Sequence, residues 1–343
     1  MKKIKLGFGI IGTGSIASHH VKSLEEIENC ELVAVCSSTT ERAKIASERF
    51  GVPAYSNIDN FLLREDLDIV SVCTQSGNHM EPIIAAAMAG KHIITEKPLE
   101  VSLKRANRII SVCKSQGVKL SVIFQNRFNP GYLQLKQIVQ QGSLGKLILG
   151  NAYIKWYRQE DYYNKSNWKG TVKGDGGAAL INQGIHTIDL LLDIMQDVQN
   201  VFGQVKTMVH DIEGEDIGIA LLNFKNGAMG TIEGGTSLYP GYEERLEIFG
   251  EYGSIIYEGG KIVNCDFKGK EDSAIDPSKF SSSGASNPMS VDYRLHKLQI
   301  EEMVDAIHND REPLVNGETA IKSLELISAI YQSSKEKKLI DLK

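Results

Sequence analysis

The stretch that decides the fold is Gly12-Thr13-Gly14-Ser15-Ile16-Ala17, which follows an apolar run over 4–11 and opens a helical pattern through about Glu25. This is G-x-G-x-x-A set between a strand and a helix, the context of a dinucleotide-binding loop. Gly12 permits the tight turn, Gly14 lets backbone approach a pyrophosphate, and Ala17 allows the helix to pack closely on the strand. The amides of Thr13, Ser15 and Ile16, with the helix dipole behind them, are then phosphate ligands. A plain glycine-rich turn is the other reading of the same residues.

Working outward, strand patterns at 32–36, 69–73, 92–95 and 119–124 alternate with helical ones at 41–50, 58–64, 82–89 and 102–116. Apolar strands joined by helical crossovers predict a doubly wound parallel sheet, a Rossmann domain over residues 1–125. Beyond it the pattern changes. Long strand-like segments at 147–157, 201–210, 217–224, 228–236, 245–249 and 253–258, with an Asn226-Gly227 hairpin signal, predict a large, mostly antiparallel sheet. Residues 126–343 are thus expected to form an α+β domain for substrate binding and oligomerisation. Within it, 265–290 reads as a loop, and two amphipathic helices at 291–309 and 318–335 finish the chain.

The bulk properties agree with two globular domains in 343 residues, 42% of them apolar and 24% charged. A net charge of −5 offers no basic surplus for nucleic acid or anionic lipid. The cysteines number five, an odd count without a Cys-x-x-Cys pair, which fits cytoplasmic free thiols better than disulfides or a zinc site. No metal is expected, and no stretch is long enough to span a membrane.

Four further places carry candidate chemistry. After the second strand stands Cys36-Ser37-Ser38-Thr39-Thr40-Glu41-Arg42, with no acid where an NAD-binding fold holds the ribose hydroxyls. Ser37 and Ser38 accept NAD or NADP without repelling a 2′-phosphate. Thr74-Gln75-Ser76-Gly77-Asn78-His79 lies at the carboxyl edge of the sheet, where Thr74, Ser76 and His79 are cofactor candidates; His79 reads equally as a solvated helix-start histidine. Glu96-Lys97-Pro98 ends the next strand at that edge. Proline restricts Lys97 to an extended backbone, so its amine is aimed at the ligand edge, or it is an ordinary surface lysine.

The fourth place is 176–189, Gly-Gly-Ala-Ala-Leu-Ile-Asn-Gln-Gly-Ile-His-Thr-Ile-Asp. As an α-helix it aligns Asn182, His186 and Asp189 on one face, beside an apolar stripe of Ile181, Ile185, Ile188 and Leu192. A histidine so flanked is either an oriented catalytic group or a structural one. Tyr153, Trp156, Tyr157, Tyr162, Tyr163 and Trp168 cluster just upstream, as sugar-stacking walls or as sheet core.

Together, the loop 12–17, Glu96-Lys97-Pro98 and the 176–189 segment resemble the glucose–fructose oxidoreductase / inositol dehydrogenase / MocA family, and the resemblance spans nearly the whole chain. Tyr162-Tyr163 with Trp168-Lys169-Gly170, Phe124-Gln125-Asn126-Arg127 and Asn182-Gln183-Gly184-Ile185-His186 are similar to one branch. That branch includes the UDP-N-acetylglucosaminuronate dehydrogenases. The resemblance implies that Lys97 and His186 lie at the nicotinamide and handle the proton, with Glu96 and Lys97 also at the cofactor. It makes Asn182, Asp189, Arg127, Tyr163, Trp168 and Lys169 substrate-binding. The family commonly has Asp four residues before the histidine; here Asn182 stands there and cannot act as a base.

The expected function is an NAD(P)-dependent dehydrogenase or reductase acting on a secondary hydroxyl of a sugar, nucleotide sugar or cyclitol, in a homodimer or homotetramer. A non-catalytic NAD(P)-binding sensor and an NAD-dependent glycosidase are the alternatives; the retention of Lys97 and His186 favours an enzyme.

Overall fold

The computed structural model describes residues 5–269 and 292–342. The chain groups into two compact units, the first running up to Gln125 and including Tyr293–Ile321, the second covering Asn126–Asp292 and continuing from Lys322.

The first unit holds strands β1 (Leu6–Ile11), β2 (Cys30–Cys36), β3 (Ala54–Tyr55), β4 (Ile69–Val72), β5 (His92–Thr95) and β6 (Leu120–Val122). Their order is β3-β2-β1-β4-β5-β6, and every pairing is parallel. This is the doubly wound order whose ligand crevice opens at the carboxyl ends of β1 and β4. All of β1 and β4 is buried, because helices cover both faces. The crossovers are α1 (Ala17–Glu25), α2 (Thr40–Phe50), α3 (Ile58–Leu62), α4 (Met80–Met88) and α5 (Leu103–Ser115). Local chemistry sets their ends. Thr39 caps α2 by accepting from the Arg42 amide, and Gly51 closes it at φ 70°. The core gathers Phe8, Leu24, Ile69 and Ile94 with Ile300, Met303 and Val304, which come from far along the chain.

That last group corrects the contiguous division expected at residue 125. The helix over Tyr293–His308 lays its buried face (Leu295, His296, Gln299, Ile300, Met303) into the first unit, where the Gln299 side chain bonds the backbone of Val122 and Phe124. Sequence order hides this, because an amphipathic stripe names a face and not its partner.

The second unit is built on β7 (Leu147–Lys155), β8 (Val198–Lys206), β9 (Ile217–Phe224), β10 (Met229–Gly235), β11 (Arg245–Gly250), β12 (Gly253–Glu258), β13 (Lys261–Phe267) and β14 (Ile340–Asp341). They form one sheet in the order β13-β12-β11-β7-β10-β9-β8-β14. Only β10 with β7 is parallel; the other pairings are antiparallel. Burial alternates along β9, as it must where one face is covered. Asn226 and Gly227 make the predicted turn, Gly227 at φ 87° and the Asn226 side chain accepting from the Ala228 amide. Helices α6 (Pro130–Gln140), α7 (Glu160–Asn164), α8 (Val172–Asp175) and α9 (Ile185–Met195) precede α10, the Tyr293–His308 helix, and α11 (Gly317–Glu336). β13 takes the start of the expected 265–290 loop; from residue 270 that loop lies outside the described residues.

Candidate active site

Gly12 sits at φ 93°, its amide on the Cys36 carbonyl at 2.9 Å. A Cβ there would meet the Cys73 carbonyl carbon and oxygen at 2.7 Å, so β1 and β4 approach too closely for any side chain. At Gly14 nothing among the described residues lies within 4 Å of where a Cβ would be, and Gly14 and Ser15 are exposed. The loop is therefore closed beneath and open above, a cradle that fits a pyrophosphate at the start of α1, with Thr13 and Ile16 half-buried at its sides.

At the end of β2 the Thr13 and Ser37 hydroxyls pair at 2.5 Å, and Ser37 is buried. Ser38 is exposed instead, 3.4 Å from the Arg42 guanidinium, while Glu41 points out from the first turn of α2. Of the two serines expected to face the ribose, Ser38 is the exposed one. After β4, the Thr74 hydroxyl donates to the Asn78 carbonyl at 3.0 Å, and buried Ser76 begins a short 3₁₀ turn. His79 is not a surface group. It is fully packed, with Nδ1 2.9 Å from the Pro98 carbonyl and Nε2 3.3 Å from that of Thr74. Burial pushes its pKa down. Its structural work is to tie the Thr74 loop to Glu96-Lys97-Pro98.

Glu96 is buried and Lys97 half-exposed at the carboxyl end of β5, with a cis bond to Pro98. The Glu96 carboxylate accepts from His20 of α1 at 2.9 Å and faces Nε2 of His296 of α10 at 3.5 Å. His20 Nδ1 lies 2.7 Å from the Ser71 hydroxyl. Burial opposes charge on His20, but Cys73 and Glu96 outweigh it and push the imidazole up to about 10. Burial also opposes charge on Glu96, and the two histidines nonetheless hold it well below the usual carboxylate range. Among the described residues, His20, Glu96 and His296 form the one set of possible metal ligands whose ligand atoms all lie within 4.8 Å. Sequence reasoning missed it, since its members stand 76 and 200 positions apart. Glu100 completes the segment, accepting from the Met80 and Val101 amides and pairing with Arg105.

In the second unit, the stretch expected as a regular helix divides. Ala179–Gly184 is a π-helical turn, and α9 begins only at Ile185. The wider turn breaks the expected single face of Asn182, His186 and Asp189. Buried Glu215 anchors it, accepting from the Ala178 and Leu180 amides at 3.1 and 2.7 Å and from Tyr331 at 2.8 Å. Nothing local in the sequence signals Glu215. The Asn182 amide donates to Asp175 of α8 and accepts from Gln183 at 2.7 Å. Gln183 in turn accepts from Arg158 at 2.8 and 3.1 Å and donates to Tyr162 at 2.8 Å. Asp175 thus sets a buried carboxylate against Asn182. His186 is half-buried on the first turn of α9.

The ammonium of Lys169 stands 3.7 Å over the Tyr162 ring, and the Arg158 guanidinium lies 5.0 Å from Trp156 and 5.7 Å from Tyr162. Arg158 and Trp156 are buried while Tyr162 and Lys169 are half-buried, so the cluster reaches solvent at its Lys169 end. Trp168 borders it, its carbonyl accepting from Thr171 at 2.7 Å. Other expected substrate residues are engaged within the protein. Tyr163 is core, its hydroxyl 2.8 Å from Thr236 and its ring 4.9 Å from His210. Arg127 grips Asp189 with two bonds and Asp193 with a third. That ion pair fixes the segment before α6 to α9.

Comparison with known proteins was consistent with this architecture. Residues 6–124 match the model of the oxidoreductase family with an NAD-binding Rossmann fold, and residues 132–256 match the Gfo/Idh/MocA C-terminal domain. Myo-inositol 2-dehydrogenase of Thermotoga maritima is 28% identical, over 97% of this chain and 98% of the relative. The WlbA dehydrogenase of Bordetella pertussis, solved with NADH and UDP-GlcNAcA, is 29% identical with a TM-score of 0.88, covering 99% of both chains. The WlbA dehydrogenase from a Chromobacterium violaceum source, with the same two ligands, is 29% identical with a TM-score of 0.88, covering 100% of this chain and 97% of that one. The chain belongs to the Gfo/Idh/MocA oxidoreductase family, with an NAD-binding Rossmann domain at its N-terminal end.

Proposed function

We propose that the protein is an NAD(P)-dependent dehydrogenase that oxidises a secondary hydroxyl of a nucleotide-linked acidic sugar. The observation that carries this is the full-length likeness to two dehydrogenases holding NADH and UDP-GlcNAcA. The half-buried Lys169–Tyr162 pair supports it, since a uronate carboxylate suits a cation set on an aromatic ring.

When bound, the nicotinamide supplies the hydride acceptor. Backbone from Gly12 to Ile16 would hold the pyrophosphate, and Ser38 the adenosine ribose. Lys97 Nζ takes the proton of the reacting hydroxyl, or returns it in the reverse direction. His186 is the other candidate for handling that proton. Asn182, held by Asp175 and Gln183, orients the sugar and transfers no proton.

The outward face of the large sheet supports self-association. Phe202, Leu221, Ile219 and Met229 are exposed there, with register placing Leu221 opposite Phe202. A homodimer or homotetramer built on this face is the expected assembly.

The test is incubation with NAD or NADP and UDP-GlcNAcA, UDP-GlcNAc or myo-inositol, following reduced cofactor. Reduction with UDP-GlcNAcA above the others supports the reading. Reduction with myo-inositol alone moves the substrate class to cyclitols, and binding without reduction by any of them favours a sensor.

A further inference from the structure

Buried Glu215, just ahead of β9, collects three successive amides at the start of the π-turn. Its carboxylate accepts from Ala178 at 3.1 Å and from Leu180 at 2.7 Å, and its backbone carbonyl accepts from Ala179 at 3.0 Å. The Tyr331 hydroxyl of α11 donates to the same carboxylate at 2.8 Å. We infer that Glu215, braced by Tyr331, is a positioning residue for His186: it holds Ala179–Gly184 in the π form and so fixes where His186, and Asn182 within the turn, are presented. The inference rests on the reading of His186 as a group at the reacting hydroxyl.

All of these residues belong to the second unit. Their contact is built for close approach. Gly177 sits at φ 147°, and a Cβ there would run into the Tyr331 hydroxyl and stand 2.7 Å from Glu215 Oε2. A Cβ on Gly214 would lie 2.6 Å from the Gly177 carbonyl carbon. The backbone at 177 and 214 therefore runs side by side, and Glu215 reaches the turn with little freedom. Left to local propensity, Ala178-Ala179-Leu180-Ile181 would close as an α-helix, with Asn182 and His186 on one face. Instead the Ala178 carbonyl lies 3.3 Å from the Asn182 amide and 3.4 Å from the Gln183 amide, the wider ladder of a π-turn. That extra residue per turn rotates Asn182 relative to His186. The bonds from Glu215 are what keep the turn from relaxing.

Glu215→Gln keeps the shape of the side chain but turns one carboxylate oxygen into a donor, so at least one of the Ala178 and Leu180 amides loses its acceptor. Turnover with UDP-GlcNAcA and NAD should fall by about ten- to a hundredfold, the scale of a displaced reacting group. The dissociation constant for NADH, titrated on the same preparation to count folded sites, should stay within a few-fold of wild type. Coupling to His186 is the readout that a merely structural role would not move. In a His186→Asn background the further loss of turnover from Glu215→Gln should be less than about threefold. Tyr331→Phe, which removes one donor at nearly constant volume, is the second probe should Glu215→Gln fail to fold. Its loss should be about threefold and should vanish in the His186→Asn background. Wild-type turnover in Glu215→Gln, or losses that multiply in the double variant, overturn the inference. If His186→Asn alone keeps wild-type turnover, the reading of His186 fails and takes the inference with it. If His186→Asn lowers turnover and the losses still multiply, only the present inference fails.

Discussion

Arg127 and Asp189 face each other through two parallel hydrogen bonds of 2.6 and 2.8 Å, and the same carboxylate accepts from Ser323 at 3.2 Å. Burial opposes charge on Arg127, but the two aspartates beside it push its pKa up, so the guanidinium stays charged. Arg127→Met would leave Asp189 buried beside one neutral donor. Removing one partner of such a pair costs about 3–5 kcal/mol. Urea denaturation should show a loss of that order. A variant of wild-type stability with a raised KM would instead give Arg127 back to the substrate.

The His20–Glu96 pair makes stability depend on pH in a defined way. His20 is raised from 6.5 to about 10, so its contribution is full below 6.5 and is lost as pH rises through about 10. Glu96 is depressed, so its contribution is present above about 4.3, the ordinary glutamate value, and is lost as pH falls through its folded pKa. The gap in thermal midpoint between wild type and His20→Gln should therefore be widest near pH 5 to 6.5 and narrow toward pH 10, measured by calorimetry across that range. A gap that widens with pH would contradict the protonated state of His20.

How much of this was legible in the sequence depends on range. The dinucleotide loop, the parallel strands and the Asn226-Gly227 turn were legible because their determinants are adjacent residues with one conformational solution. The π-turn at Ala179–Gly184 was not, because its anchor, Glu215, lies more than thirty positions away. His79 read as a cofactor candidate or a solvated group because the carbonyl of Pro98 that holds it is invisible to local pattern. The Arg127–Asp189 ion pair was not legible, because charge near a site does not reveal whether its partner is a ligand or another side chain.

Cofactor choice turns on Ser38, the exposed serine, since the Ser37 hydroxyl is engaged with Thr13. Wild type should bind NAD and NADP within about a hundredfold of each other. Ser38→Asp adds a charged acceptor for the ribose hydroxyls and repels a 2′-phosphate. A charge-assisted hydrogen bond contributes about 1.5–3 kcal/mol, so preference should move toward NAD by about tenfold to a hundredfold. Titration of both cofactors measures it; an unchanged ratio would place the ribose elsewhere.

The sheet face makes a separate prediction. Ile219, Leu221 and Met229 are 53%, 55% and 56% exposed on the face opposite the core. Leu221→Glu should shift the protein to a smaller species in light scattering after size exclusion, with little change in secondary structure. An unchanged mass would assign assembly to another surface.

Lys97 carries the central claim, and one variant tests it. Lys97→Ala should lower turnover with the nucleotide sugar by about 10²-fold or more, the scale of lost acid–base catalysis, while the dissociation constant for NADH changes by only a few-fold. Steady-state turnover and NADH titration on the same preparation give both numbers. Turnover near that of wild type, with NADH binding intact, would contradict the account.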